Sequence, residues 1–184
     1  MVKGPMASYL QLILGGARSG KSRYALHQGG ELAFESHFFL ATAFAGDEEM
    51  KQRITQHQSE RDSCWRTLEE PYHLVTAWGR LETGPKSLMV MDCATLWISN
   101  LLCGMGGKAL SPSGVEKEFE ALFELLSRLN GEVRIVSNEV GLGIVPDNPL
   151  SRQFRDLQGK FNQNLAGLAN QVILMTAGIP QKIK

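Results

Sequence analysis

The sequence predicts a single α/β domain with a mostly parallel central sheet and helices on both faces. Short apolar runs alternate with longer amphipathic segments, as expected when parallel strands are connected by helices. The chain has 184 residues, which fits one domain, and its 43% hydrophobic content suffices for a core. We divide it into a loose N-terminal leader at residues 1–8 and one domain at residues 9–184.

The first half of the chain contains two strand signals and two helix signals. The apolar run Tyr9–Leu14 predicts a buried strand, and a helix is expected from Lys21 onward. Phe38–Ala43 predicts a second strand. Asp47 is followed by two glutamates, which is typical of a helix start because acids favour the positive end of the helix dipole. This second helix is expected to reach Arg61.

The second half continues the alternation. Leu88–Met91 is a short apolar strand candidate. Ser113, with a glutamate three residues later, predicts a capping box that opens a helix. Val133–Val136 is β-branched and strand-like, and apolar residues at spacings of three and four predict a long helix from Pro149. Val172–Met175 is expected to be the final strand.

Charge and cysteine content exclude several classes of protein. Lys+Arg and Asp+Glu each number 19, so the basic excess usual in nucleic-acid and membrane-surface binders is missing. No apolar run approaches the ~18 residues of a membrane-spanning helix. Three cysteines without a C-x-x-C pair argue against a disulfide framework or a structural zinc site. A cytoplasmic protein is expected.

A glycine-rich loop after the first strand predicts a nucleoside triphosphate site. Its residues fit the pattern G-x-x-x-x-G-K-[ST]. Glycines at both ends allow backbone N–H groups to point at phosphate oxygens, and the following helix adds its dipole. Lys21 would neutralise the β- and γ-phosphates, and the Ser22 hydroxyl would bind Mg²⁺. The candidate phosphate-binding residues are Gly15, Gly16, Ala17, Arg18, Ser19, Gly20, Lys21 and Ser22.

Asp92 is the candidate second partner of Mg²⁺. It stands at the end of an apolar strand, as the metal-binding aspartate of phosphate-loop enzymes does. An ordinary strand-end or helix-cap aspartate is the alternative. The loop alone does not choose among kinases, switch GTPases and motors, but the sequence has no N-K-x-D motif for guanine and no tandem domain.

The predicted second helix carries a histidine of interest. Ile54, His57 and Arg61 share one face, with His57 and Arg61 one turn apart. A nearby guanidinium disfavours imidazolium, and a neutral imidazole is a competent nucleophile toward phosphorus. A polar end to an amphipathic helix explains the same pattern and stays open on the spacing alone. No pair of histidines has metal-ligand spacing.

Taken together with further motifs along the chain, these residues resemble the adenosylcobinamide kinase/adenosylcobinamide-phosphate guanylyltransferase family. The resemblance runs from about Leu12 to the C-terminus with short interruptions. Its segments keep one order and spacing: GGARSGKSR at 15–23, ATA at 41–43, DEEM at 47–50, RI at 53–54, His57, Arg61, WRT at 65–67, Glu69, Asp92 to NLL at 100–102, SNEVGLGIVP at 137–146, RQFRD at 152–156 and NQ at 162–163.

The resemblance implies a RecA-like phosphate-loop fold, a homotrimer and two reactions. ATP or GTP phosphorylates adenosylcobinamide, and GTP then guanylylates a histidine that passes GMP to adenosylcobinamide phosphate. His57 occupies the position of that histidine, with Lys21 as the other catalytic residue. The resemblance also implies nucleotide contacts from Ala41, Thr42, Ala43, Gln58, Ser59, Glu60, Arg61, Glu69 and Asp92. A carboxylate such as Glu69 or Asp92 would accept hydrogen bonds from guanine that adenine does not offer.

Several alternatives stay open at the level of sequence. A kinase without guanylyl transfer and a non-enzymatic nucleotide-binding regulator are the rival functions. Trp65 and Trp97 are either corrinoid-contacting or core aromatics, and we favour packing. Glu139 follows a strand and so faces the ligand side of the sheet. Its role is either in substrate binding or catalysis, or in shaping the loop.

Overall fold

The computed structural model describes residues 8–28, 33–46, 48–59 and 61–184. Within these, side chains at positions 8, 49, 50, 53, 56, 57 and 59 are not described. The described strands form one seven-stranded sheet, parallel except at its last strand. They are β1 (Ser8–Gly15), β2 (Ser36–Ala41), β3 (Trp65–Glu69), β4 (Ser87–Asp92), β5 (Gly131–Val136), β6 (Gln171–Thr176) and β7 (Ile179–Lys182).

Helices connect the strands and cover both faces of the sheet. They are α1 (Lys21–Leu26), α2 (Glu48–Ser59), α3 (Leu74–Trp78), α4 (Ala94–Cys103), α5 (Pro112–Arg128) and α6 (Pro149–Leu168). Alternation along β1 divides the core, since Leu10 and Leu12 face the side of α4, α5 and α6, whereas Ile13 faces α1. The predicted α/β class is confirmed. None of the described helices is long and apolar enough to cross a membrane.

Trp97 lies in the larger core, as the packing interpretation predicted. It is fully buried, and its ring centroid is 6.1 Å from that of Phe119 and 6.2 Å from that of Phe161. Its indole N–H donates to the Tyr72 carbonyl at 3.1 Å. The half-buried Trp65 instead packs edge-on against His37, with centroids 5.2 Å apart. Core packing therefore accounts for Trp97.

Two local predictions are wrong. The N-cap of α5 is Ser111, not Ser113, because Ser111 accepts the Gly114 N–H at 3.2 Å and Pro112 fits the first helical position. Val172–Met175 is not the last strand, since the antiparallel β7 follows β6. β3 and α3 also escaped prediction. β3 is largely exposed and lacks an apolar run, and α3 has only five residues.

The strand order places the ends that carry polar residues side by side. The order is β3-β2-β4-β5-β1-β6-β7, so β5 separates β1 from β4. Glu69, Ala41 and Asp92 are level across β3, β2 and β4. The loop after β1 opens at the same edge, where parallel α/β sheets bind their ligands.

Candidate active site

The glycine-rich loop lies between β1 and α1, the context that the motif requires. Gly15 has φ 149°, and a Cβ on it would lie 2.5 Å from the Met175 carbonyl oxygen of β6, so only glycine fits. Gly20 has φ 93° immediately before α1. Gly16, Ala17 and Arg18 form the exposed tip of the loop. The backbone is therefore bent as a phosphate-binding loop needs to be.

Lys21 is the first residue of α1, and its side chain folds back over the loop. Its ammonium donates to the Gly16 carbonyl at 2.6 Å. Burial lowers the pKa of Lys21, while Cys93 and Asp92 act in the opposite direction. Burial raises the pKa of the Cys93 thiol to about 12, so that thiol is uncharged at neutral pH. Asp92 therefore supplies the negative charge that faces Lys21.

The loop also encloses a hydroxyl that lacks a partner. Ser19 Oγ is buried and makes no hydrogen bond with the described residues. Its backbone is held, since the Ser19 N–H donates to the Gly16 carbonyl at 3.3 Å and its carbonyl accepts the Gly178 N–H at 3.1 Å. Burying an unpaired hydroxyl is unfavourable. A phosphate oxygen in the loop is an acceptor of the kind that would pair with it.

The oxygen donors at this edge suit Mg²⁺. Ser22 offers a hydroxyl on the first turn of α1, and Asp92 offers a carboxylate at the end of β4. Among the described residues, no group of three or more His, Cys, Asp or Glu side chains is arranged to hold a metal ion. An ion bound between Ser22 and Asp92 would thus take its other ligands from nucleotide phosphates and water.

A second cluster joins the end of α2 to the ends of β3 and β4. The Arg61 guanidinium lies 4.1 Å from the centroid of the Phe39 ring. Burial lowers the pKa of Arg61, and the charges of Asp92 and Glu69 oppose that shift. Gln58 Nε2 donates to Glu69 Oε1 at 2.7 Å. Asp92 therefore interacts with Lys21 of the phosphate loop and with Arg61 beyond α2.

His57 lies on the last turns of α2, directly before Gln58. The side chains of His57 and Ser59, and all of Glu60, lie outside the described part of the chain, so their predicted roles stay predictions. The structure thus links five of the predicted site residues by hydrogen bonds or charge. They are Lys21 of the phosphate loop together with Gln58, Arg61, Glu69 and Asp92.

Thr42 holds together the loops that follow β2 and β4. Its hydroxyl donates to the Cys93 carbonyl at 2.7 Å and accepts the Cys93 N–H at 2.8 Å. Asn100 Nδ2 of α4 donates to the carbonyls of Thr42 at 2.8 Å and Pro71 at 2.9 Å. The Thr42 side chain is thus committed to the protein, and the half-buried Ala41 and Ala43 flank it. Asn100 escaped prediction because nothing local marks a buried bridging amide.

We expect Thr42→Val to lower the free energy of unfolding by about 1–3 kcal/mol, because it leaves the buried Cys93 N–H without an acceptor. Urea denaturation measures the change. Thr67→Val is the matched control, since Thr67 is exposed on the neighbouring strand β3 and should change little. Equal stability of Thr42→Val and wild type would contradict a stabilising role for the hydrogen bonds between Thr42 and Cys93. The nucleotide Kd of the same variant tests the predicted contact.

A family model and two curated relatives identify the same protein family for this chain. A sequence model of the CobU family, described as cobinamide kinase / cobinamide phosphate guanyltransferase, matches residues 11–183. The bifunctional adenosylcobalamin biosynthesis protein CobP of Pseudomonas aeruginosa is 44% identical over 177 residues, covering 94% of this chain and 96% of that protein. Its counterpart CobU of Salmonella typhimurium is 38% identical over 181 residues, covering 94% and 98%.

Solved structures with a similar fold are distant in sequence. A type III secretion ATPase of pathogenic bacteria matches with a TM-score of 0.56 and 11% identity, over 91% of this chain. The chain spans 51% of that ATPase. The flagellar accessory protein FlaH of Methanocaldococcus jannaschii matches with a TM-score of 0.52 and 13% identity, over 96% of this chain and 78% of FlaH. These likenesses support the RecA-like fold alone.

Proposed function

Because the chain belongs to the cobinamide kinase / cobinamide phosphate guanyltransferase family, we propose that it catalyses two successive transfers. In the first, the terminal phosphate of ATP or GTP moves to the hydroxyl of adenosylcobinamide. In the second, GMP moves from GTP to a histidine and then to adenosylcobinamide phosphate, which gives adenosyl-GDP-cobinamide. His57 is the histidine that we propose to be guanylylated.

The observation that carries this proposal is that the charge of Asp92 acts on two cations. One is Lys21 of the phosphate loop, and the other is Arg61, four residues beyond His57. Arg61 and the phosphate loop thus share the charge of one carboxylate, which supports a place for His57 near the phosphate site. Phosphoryl transfer alone does not require a histidine near the phosphates. Guanylyl transfer through a covalent intermediate requires a histidine within reach of the α-phosphorus.

In the phosphoryl-transfer step the protein mainly positions and neutralises. Backbone N–H groups of residues 15–20 and the start of α1 bind the phosphates. Lys21 exchanges its bond to the Gly16 carbonyl for contacts to the β- and γ-phosphates. Mg²⁺, for which Ser22 and Asp92 are the proposed protein ligands, neutralises phosphate charge when bound. The acceptor oxygen then bonds to the γ-phosphorus as its bond to the nucleoside diphosphate breaks.

In the guanylyl-transfer step a ring nitrogen of His57 bonds to the α-phosphorus of GTP, and pyrophosphate leaves. The phosphoramidate divides one difficult substitution into two easier ones and predicts ping-pong kinetics. A phosphate oxygen of adenosylcobinamide phosphate next bonds to the same phosphorus, and the N–P bond breaks. The loop and Lys21 hold the leaving pyrophosphate, so both reactions use one phosphate site.

Glu69 is the carboxylate that we assign to guanine. The charge of Asp92 acts on both Lys21 and Arg61, so we assign Asp92 to the phosphate end of the site. Glu69 ends β3, two strand spacings or about 10 Å further from the loop, and its orientation is fixed by Gln58. A carboxylate there would accept hydrogen bonds from guanine N1–H and N2–H, neither of which adenine presents.

We expect Glu69→Gln to lower kcat/KM for self-guanylylation with GTP about 10–100-fold, because an amide cannot accept both guanine N–H groups. The kinase rate with ATP should stay close to that of wild type. Glu120→Gln, an exposed carboxylate on α5, is the control for the loss of a charge. An unchanged kcat/KM for GTP in Glu69→Gln would assign guanine recognition elsewhere.

One experiment tests the function as a whole. The protein is incubated with Mg²⁺ and GTP labelled on the α-phosphate, denatured and examined for an acid-labile adduct. Parallel reactions contain γ-labelled ATP and adenosylcobinamide. An adduct together with labelled cobinamide phosphate supports the proposal. Labelled product without an adduct leaves a kinase alone, and nucleotide binding without either activity leaves a regulatory protein.

A further inference from the structure

We propose that Glu139 accepts the proton of the acceptor hydroxyl in the phosphoryl-transfer step. The inference rests on the kinase reaction proposed above, and it adds a residue that acts on the acceptor rather than on the nucleotide. Glu139 follows β5, the strand that separates β1 from β4. It therefore emerges between the phosphate loop and Asp92.

Backbone hydrogen bonds fix Glu139 against the phosphate loop. The Glu139 N–H donates to the Gly15 carbonyl at 3.2 Å, and the Ser137 N–H donates to the Ile13 carbonyl at 2.9 Å. The segment thus continues the pairing of β5 with β1 as far as the first residue of the loop. The Glu139 backbone therefore lies beside the first residue of the loop, and Lys21, which we expect to contact the γ-phosphate, packs over the adjacent Gly16.

Among the described residues at this edge, the Glu139 carboxylate differs from those of Glu69, Glu70 and Asp92 because it has no partner. Glu69 accepts from Gln58, and Asp92 interacts with Lys21 and Arg61. Glu70 accepts backbone N–H groups at the start of α3. Glu139 is half-buried, and its carboxylate makes no hydrogen bond or ion pair with any described residue. A proton acceptor needs such a free oxygen.

A buried polar network under the segment keeps it in place. Thr95 Oγ1 accepts the Asn138 N–H at 2.8 Å, and Asn162 Nδ2 donates to the Asn138 carbonyl at 3.0 Å. Ser137 Oγ donates to Asn162 Oδ1 at 2.7 Å and accepts from Gln158 Nε2 at 2.8 Å.

The buried polar network beneath Glu139 has an energetic cost that stability alone does not explain. Gln158 is fully buried, and its Oε1 has no hydrogen-bond partner among the described residues. An apolar core would avoid the cost of an unpaired buried acceptor. Positions that break the rules of packing in this way are expected where a chain must be held for function.

The proposed step balances in atoms and charge. The O–H bond of the acceptor alcohol breaks, and its proton moves to a Glu139 carboxylate oxygen. The freed oxygen bonds to the γ-phosphorus, and the bond from that phosphorus to the β,γ-bridging oxygen breaks. The nucleoside diphosphate leaves with that electron pair. Glu139 then releases its proton to water, which restores the carboxylate.

The test compares Glu139→Gln and Glu139→Asp with wild type in both reactions. Glu139→Gln keeps the shape of the side chain but removes the base, so cobinamide phosphorylation should fall about 10²–10⁴-fold. Glu139→Asp keeps the base at shorter reach and should lie between. Self-guanylylation with α-labelled GTP should stay within about threefold, because it removes no proton from an alcohol. Glu120→Gln is again the control.

The outcomes separate this role from the proposed function. A wild-type protein that phosphorylates cobinamide, with Glu139→Gln equally fast, overturns the role of Glu139 alone. Parallel loss of phosphorylation, self-guanylylation and nucleotide binding in both variants also overturns it, since the residue would then shape the loop. A wild-type protein without kinase activity overturns the kinase reaction, and the role of Glu139 falls with it.

Discussion

His57→Asn is expected to abolish the covalent GMP adduct while the protein continues to phosphorylate cobinamide. Asparagine is polar and small enough for the end of α2 but lacks a nucleophilic ring nitrogen. Loss of a nucleophile lowers its reaction by at least about 10⁴-fold. The γ-phosphate is transferred directly to the acceptor in the kinase step, so that rate should stay within about threefold of wild type.

Two details make the His57 result specific. His27→Asn is a matched control, because His27 is exposed at the end of α1 and has no proposed role. Position 56, next to His57, is a glutamine, so no neighbouring imidazole is available to take over. A full yield of acid-labile adduct in His57→Asn would exclude His57 as the acceptor. An equal loss of kinase activity would indicate a structural role for the helix end.

The sequence predicts those parts of the site whose signals are local. The glycine-rich loop is one continuous pattern, and its strand–loop–helix context follows from the apolar run before it. Asp92 is predicted from its place at the end of an apolar strand, because parallel strands bring their carboxyl ends to one edge of the sheet. The link from Gln58 and Arg61 to Glu69 has no local signal. The family resemblance implies only that these residues contact the nucleotide, and β3 is too exposed to be recognised as a strand.

Local sequence patterns do not predict the buried polar networks. Thr42 and Cys93 are 51 residues apart, and Ser137 and Asn162 are 25 apart. Serine, threonine and asparagine are ordinarily surface residues, so nothing in their neighbourhoods indicates burial. Their positions follow only when the strand order is known. The fold of the core was thus predictable from periodicity, whereas the fine positioning of the strand ends was not.

Lys21→Met is expected to slow both reactions, each by about 10²–10³-fold, because one ammonium neutralises the phosphates in both. The folded state should tolerate the change. Methionine has a similar length, and removing a charge that burial disfavours offsets the lost bond to the Gly16 carbonyl. We expect a Tm within about 4 °C of wild type. Lys117→Met, at an exposed position on α5, serves as the control.

The Tm difference between Lys21→Met and wild type should change with pH in a defined direction. The pKa of Lys21 is lowered on folding, so the unfolded chain binds more protons near that pKa and wild-type stability rises with pH through it. Lys21→Met lacks this gain. The Tm of the variant relative to wild type should therefore be highest below the lowered pKa and should fall as the pH rises toward the ordinary lysine range.

The two variants together decide whether one phosphate site serves both reactions. His57→Asn should remove guanylyl transfer alone, and Lys21→Met should impair both, as expected if the α-phosphorus and the γ-phosphorus are each attacked while the nucleotide occupies the same loop. A separate site for guanylylation would leave self-guanylylation intact in Lys21→Met. That result would contradict the shared site, and Asp92 would then join Lys21 and Arg61 for stability rather than for catalysis.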